Sequence, residues 1–225
     1  MIAKLAIQVV VLVLNFVFSK MIVFQTDHKE YTPEQLKRKM IRKRCTMLSF
    51  TIPAVTVLIA YIVNGVYPFG DHGVLIIDSL HQYLPFFTDF HDKLVNSQSL
   101  TYSFGGGLGY NMWAVFAYYL ASPLNLLITI VSSKHVMDFM AYLILLKIAL
   151  TGGIFGWYLS RRGKDRDYFP IAFGCMYALS AFMIGYYFNL MWLDSIILLP
   201  LIILGLHRIL EGHFPALYTL SLGFA

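Results

Sequence analysis

The acids that interrupt an otherwise apolar chain are the residues with chemistry in them. Asp71, Asp78, Asp89 and Asp92 fall in one mixed stretch, 67–111, with His72, His81 and His91 interleaved and Lys93 as its cation. Read as a helix, 74–90 puts Ile77, Leu80, Leu84 and Phe87 on one apolar stripe, with Asp78, His81 and Gln82 on an adjoining face. That is the pattern of an amphipathic helix lying in a membrane interface, kinked at Pro85. Asp78 is mid-helix, away from a cap position, and reads as functional. Asp71 precedes a turn or helix start and reads more simply as a cap, and Asp89 and Asp92 as solvated. Asp194 stands evenly between two readings. One is a cap on the apolar run that starts at Ser195. The other is a costly, therefore functional, carboxylate at a membrane boundary. Lys147 is a lone cation halfway along an apolar run. It would bind a phosphate head group, or pair with a helix carbonyl or with a carboxylate from a part of the protein beyond this chain.

The glycines Gly105, Gly106, Gly107 and Gly109 permit a tight turn or a phosphate cradle. No Gly-Lys-Ser/Thr follows, and the spacing is not Gly-x-Gly-x-x-Gly, so the turn is the stronger reading. The histidines show no metal-ligand spacing, and Cys45 and Cys175 offer no disulfide framework, so no metal site is expected.

The elements that must hold these groups are membrane helices. The chain has 225 residues, 58% hydrophobic and only 13% charged, with a mean hydropathy of +0.67. A soluble domain is nearer half apolar and a quarter charged, which excludes a cytosolic enzyme domain, a disordered tail and a nucleic-acid module. Apolar runs of the roughly 20 residues needed to span a bilayer, or close to it, occupy 2–24, 46–66, 137–159, 169–188 and 195–210, and another begins at 214. The run 2–24 reads as an uncleaved helix in preference to a signal peptide, because it has no small-residue cleavage site.

Charge placement orients these runs. Lys29, Lys37, Arg38, Lys39, Arg42, Lys43 and Arg44, with Arg161, Arg162, Lys164 and Arg166, hold most of the 17 basic residues in two loops. Short basic loops stay cytoplasmic. The stretch 67–111 is then external, as is 189–194. The apolar run 112–131 then has no parity left to cross once, and is expected to be re-entrant, interfacial or a hairpin; the alternative is that it crosses, which puts the basic loop at 161–166 outside. The net charge of +5 is therefore a topology signal, with anionic lipid and not nucleic acid as its partner. The fold class expected is an all-α polytopic bundle whose external loop carries amphipathic interfacial helices. Residues 1–45 form a first helix and basic loop, and 46–225 the main membrane domain.

Several fragments, in order, resemble the start of a YfhO-type bacterial membrane protein, from about Thr46 onward. They are Tyr67-Pro68-Phe69-Gly70, Asp78 with Gln82-Tyr83-Leu84-Pro85-Phe86-Phe87, Ser99-Leu100-Thr101-Tyr102-Ser103 and Gly106-Gly107-Leu108-Gly109. Tyr118-Tyr119-Leu120-Ala121-Ser122-Pro123, Met191-Trp192-Leu193-Asp194 and Leu199-Pro200-Leu201 follow. The resemblance implies a GT-C class glycosyltransferase with its active site on the outer face of a bacterial membrane. The implied donor is a polyprenyl-phosphate-linked sugar, and the implied acceptor is lipoteichoic acid or a related wall polymer. An aspartate of the first external loop is then the catalytic base, Asp78 by motif and Asp71 as second choice. His81, Gln82, Tyr83, Gly107, Gly109, Tyr118, Trp192, Asp194 and Lys147 are the substrate-binding candidates. No cofactor is implied, although a divalent cation is left open. The family is longer than 225 residues and lacks the 2–24 helix ahead of its first span, so the chain is expected to be a fragment.

The expected chemistry is a single displacement at the anomeric carbon with inversion. A carboxylate takes the acceptor hydroxyl's proton, and Lys93, Lys147 or the glycine amides meet the departing phosphate. Two other classes fit the same residues. A lipid-linked sugar transporter or flippase would use membrane acids and a broken helix. A non-catalytic assembly partner would need neither.

Overall fold

The computed structural model describes residues 32–162 and 168–225. The helix expected over 2–24 and the middle of the second basic loop lie outside the described residues. What is described is an all-α membrane bundle with three helices long and apolar enough to cross a membrane.

Helix α1 runs Pro33–Val63. The basic stretch expected as a loop is helical from Pro33, because Thr32 and Gln35 form a reciprocal capping box and Pro33 suits the first turn. At 31 residues the helix is about 46 Å long, more than a hydrocarbon core of about 30 Å. Its first turns therefore carry the basic residues clear of the apolar layer.

After a tight turn, α1 is followed by a π-helical turn, Ser79–Tyr83, and by α2, Leu84–Val95. A two-stranded hairpin comes next, β1 (Tyr102–Ser103) antiparallel to β2 (Tyr110–Asn111). The run 112–131, expected to be re-entrant, interfacial or a hairpin, is a sharply bent elbow. It consists of α3 (Met112–Val115), a π-helical turn (Phe116–Leu120) and a 3-10 helix (Pro123–Ile130). Its two arms, Met112–Leu120 and Pro123–Ile130, are bent by 106°. Pro123 starts the second arm, and buried Asn125 donates to the Leu120 carbonyl to hold the corner. The segment 64–135 leaves and returns at one end of the bundle. The Tyr67 ring lies 5.3 Å from that of His135, and Tyr142 donates to the Tyr67 carbonyl at 2.8 Å.

Helix α4, Val136–Arg162, is the central span. The span expected over 169–188 is instead two short helices, α5 (Phe169–Ala178) and α6 (Ala181–Gly185), because Ser180 caps the second through the Met183 amide. Helix α7, Leu190–Leu210, begins earlier than expected, and α8, Ala216–Gly223, folds back along it. Gly205 permits that return, since a side chain there would meet the Tyr218 backbone.

Two features join the spans. Around Ser49 of α1, three glycines let helices approach closely. An added Cβ at Gly152 would strike the Ser49 carbonyl, and one at Gly156 or Gly174 its side chain. Ser49 Oγ donates to the Pro170 carbonyl at 3.2 Å, so the hydroxyl is satisfied in this small-residue crossing. The second feature is charged. Lys147, fully buried in α4, donates to the Leu190 carbonyl at 3.0 Å and to Asp194 Oδ2 at 2.6 Å, both on α7.

Each feature makes a prediction. Gly156→Leu should lower the thermal midpoint of the detergent-solubilised protein sharply, since overpacking costs about 1–3 kcal/mol. Gly185→Ala, where nothing lies within 4 Å, should leave it unchanged. Equal midpoints for both variants would show that the crossing is not tight. For the ion pair, Lys147→Met or Asp194→Leu alone should cost about 3–5 kcal/mol by stranding the other charge. The double variant should recover most of that loss. Simple additivity in the same melting assay would contradict the pairing.

Candidate functional site

Asp78, expected mid-helix, sits instead at the helix start, where the irregular segment after α1 turns into helix, although its side chain makes no capping hydrogen bond. Ile77 takes a φ of 47°, a left-handed conformation that crowds a β-branched side chain. Ser79 holds this entry, because its hydroxyl donates to the Ile76 carbonyl and accepts from the Ile76 amide. Strained backbone of this kind concentrates at functional sites.

The single α-helix expected over 74–90 is not formed. Residues 74–76 are not helical, and Leu84 donates its amide to the Ser79 carbonyl across the wider π turn. Pro85 accounts for the break: it has no amide hydrogen to continue an α-helical ladder, and a π turn absorbs the missing bond. The extra residue rotates the buried face. Ser79, Tyr83, Phe87, Phe90 and Leu94 point inward, whereas Ile77 and Leu80 of the expected stripe are exposed.

Around Asp78 the contacts form a chain. Gln82 Nε2 donates to Asp78 Oδ1 at 3.4 Å, and Tyr119 of the elbow donates to Gln82 Oε1 at 3.0 Å. Tyr119 packs edge-on against Tyr83 at 5.1 Å and against Tyr118 at 4.7 Å. The Tyr83 hydroxyl is buried beside the Met191 backbone without a hydrogen bond of normal geometry. Burial, reinforced by nearby Tyr119 and Asp78, pushes that hydroxyl above its ordinary range. Asp78 itself is partly buried and makes no ion pair among the described residues.

Beyond Tyr119 lies a cavity of about 340 Å³, lined by Tyr118, Tyr119, Ser122, Trp192, Asp194 and Ser195 among others. Asp194 is not a cap. Helix α7 starts at Leu190, so Asp194 is inside it, bridged between Lys147 and Ser122 Oγ, which donates to Oδ1 at 3.1 Å. Its side chain is 13% exposed, enough to offer one edge to the cavity. Trp192 stands among Phe182 and Tyr186, with ring centroids 6.4 Å away in each case.

The structure therefore brings Asp78, Gln82, Tyr83, Tyr118, Trp192, Asp194 and Lys147 into one region. His81 is exposed on the same π turn as Gln82. Asp71 is exposed in the turn after α1 and makes no ion pair among the described residues. Gly107 and Gly109 occupy the hairpin turn, with φ of 53° and 95°, and the Gly109 amide closes the turn on the Gly106 carbonyl. A side chain at Gly109 would meet the Tyr102 ring, so this glycine answers a backbone requirement.

Other polar groups are structural. Buried Lys93 donates to the Ser99 and Tyr102 carbonyls at 3.1 and 2.9 Å and so shapes the loop before the hairpin. Asp89, expected to be solvated, accepts from Tyr110 at 2.8 Å; burial and this carboxylate push the phenol up to about 12. Asp92 holds His91 and Ser133, while His91 Nε2 donates to the Val131 carbonyl and pins the end of the elbow to α2. Sequence reasoning missed Tyr119 and Ser122 as site residues, although both stand in the quoted Tyr118–Pro123 fragment. Among the described residues, no group of three or more His, Cys, Asp or Glu side chains converges as a metal site would.

Neither the curated proteins nor the solved structures yielded a match to this chain. A family model, described as bacterial membrane protein YfhO, matches residues 49–225. That span takes in Asp78, the elbow, the cavity and the Lys147–Asp194 pair, and the chain belongs to the YfhO family of bacterial membrane proteins.

Proposed function

We propose that the protein is a membrane glycosyltransferase. It would move a sugar from a polyprenyl-phosphate-linked donor to a wall polymer such as lipoteichoic acid, with Asp78 as general base. One observation carries this reading: a carboxylate with no ion pair among the described residues accepts from Gln82, and Gln82 is in turn held by Tyr119, which lines a cavity walled by a second carboxylate, hydroxyls and aromatic rings. A general base must stay available to a proton, and an ion pair would weaken it.

The cavity suits a sugar ring. Asp194 and Ser122 offer acceptor lone pairs to sugar hydroxyls, and Trp192 and Tyr118 offer faces for its apolar side. The acceptor hydroxyl gives its proton to Asp78 as its oxygen bonds to the anomeric carbon. The bond from that carbon to the phosphate oxygen breaks, and the electron pair leaves with the lipid phosphate. Lys93 and Lys147 are both engaged by carbonyls or Asp194, so hydroxyl donors such as Tyr118 serve the leaving group better.

The orientation follows from charge. Arg42 and Arg208 lie within electrostatic reach of Arg161, so three helices present basic residues at one end, away from the Asp78 site. Short basic segments stay cytoplasmic, which supports an external position for the site.

Two experiments check this reading. Membranes carrying Asp78→Asn should transfer sugar from a radiolabelled polyprenyl-phosphate donor to lipoteichoic acid about 10²-fold or more slowly than wild type. Asp71→Asn should stay near wild type. Undiminished transfer by Asp78→Asn removes the base assignment. In intact cells, and in a background without Cys45 and Cys175, a membrane-impermeant maleimide should label Leu108→Cys and not His213→Cys. The opposite labelling reverses the orientation.

A further inference from the structure

A pair of cavities lies at the other end of the molecule, unused by the chemistry above. The first, about 590 Å³, lies between α1 and α4 and is rimmed by Lys39, Arg42, Lys43 and Arg161, with Ser160 at its edge. Arg38, also on this rim, is paired with Glu34 at 3.2 Å. Trp157 forms a wall, with the Arg161 guanidinium 4.5 Å over its ring. That stacking holds the guanidinium over the cavity while leaving its edge donors available.

The second cavity, about 490 Å³, continues from the first and shares Thr46, Met47 and Trp157 with it. Its remaining walls are almost wholly apolar: Phe50, Leu150, Gly153, Ile154 and Leu201, with Thr51. Gly153 sets its floor, because a side chain there would run into Phe50. The two together are a basic basin opening into an apolar groove, with an indole at the junction.

We infer that this composite groove binds an anionic glycerophospholipid in the leaflet at the basic end, with its phosphate among Arg42, Lys43 and Arg161 and an acyl chain along Met47, Phe50 and Gly153. Charge complementarity selects the head group, since basic pockets between membrane helices bind anionic lipid heads. The tryptophan at the boundary matches the depth at which indoles settle in a bilayer. The groove follows α1 only over Thr46–Thr51, about 8 Å at helical rise. It is too short to enclose a polyprenyl chain and is suited to the first part of an acyl tail. This site is independent of the glycosyltransferase reading.

Trp157 provides its own reporter. The chain has three tryptophans, and Trp113→Phe with Trp192→Phe leaves it alone. The purified protein is placed in phosphatidylcholine bilayers and titrated with chain-brominated phosphatidylglycerol or chain-brominated phosphatidylcholine, reading quenching of Trp157. Half-quenching should need about fivefold less phosphatidylglycerol, the effect of one basic side chain meeting an anionic head. Arg42→Gln with Arg161→Gln should bring the two lipids level. If that variant does not fold, exposed Lys43→Gln should narrow the gap in the same direction. Equal quenching of the wild-type site by both lipids overturns the proposal. So does a preference that survives loss of the arginines, or of Lys43 where that variant stands in. Loss of the preference in millimolar inorganic phosphate would make the basin a site for free anions, and stronger quenching by a brominated polyprenyl phosphate would make the occupant a different lipid. Either result overturns the assignment.

Discussion

A buried ammonium is the constraint around which this bundle is arranged. Lys147 stands fully enclosed in the central helix, where a lone charge is costly. Only an opposite charge with well-made hydrogen bonds offsets that cost, and both come from the first turns of α7. The register of α4 against α7 is thereby set to within one residue, because neither neighbour of Asp194 carries a charge. Asp194 passes the constraint on. Its second oxygen takes the Ser122 hydroxyl, which fixes the corner of the elbow. The elbow carries Tyr119, which orients Gln82, which in turn touches Asp78. A single buried charge thus reaches, by named contacts, to the carboxylate given the chemical role.

The region around Asp78 shows how a helix can be spoiled to advantage. Pro85 would break a regular helix, and the chain answers with a π turn. The wider turn puts Tyr83 inside while Asp78, His81 and Gln82 remain at the accessible edge. A straight helix would have buried Leu80 and Leu84 on one stripe, with a different set of polar neighbours for Asp78.

Much of this was legible from residue types. The apolar runs gave the spans over 46–66 and 137–159, and parity of the basic loops spoke against a straight crossing over 112–131, where the chain bends at Pro123. Two further signals were passed over: the capping box Thr32-x-x-Gln35, which marks a helical basic segment, and the pair Gly152-x-x-x-Gly156, which marks a close crossing. The Lys147–Asp194 pairing was not legible. Its members are 47 positions apart, and nothing local distinguishes a paired acid at the head of a helix from a capping one. The π turn was hidden for a related reason: Pro85 announces a break, but whether the chain kinks, stops or widens depends on what Tyr83 finds to pack against. Asp89 looked solvated because its partner, Tyr110, arrives only through the hairpin.

The same ion pair also dictates an order of events during synthesis. Helix α4 leaves the ribosome well before α7, and Lys147 precedes its partner by 47 residues. At about 5–20 residues per second, the lysine is made several seconds before Asp194 can meet it. During that interval the helix carries a charge worth about 2.5–3.5 kcal/mol against insertion. The apolar residues of α4, each worth about 0.3–0.6 kcal/mol toward insertion, offset that cost until α7 arrives, and the salt bridge then removes it. The central helix of this protein thus reaches its final environment only when a later helix delivers the carboxylate.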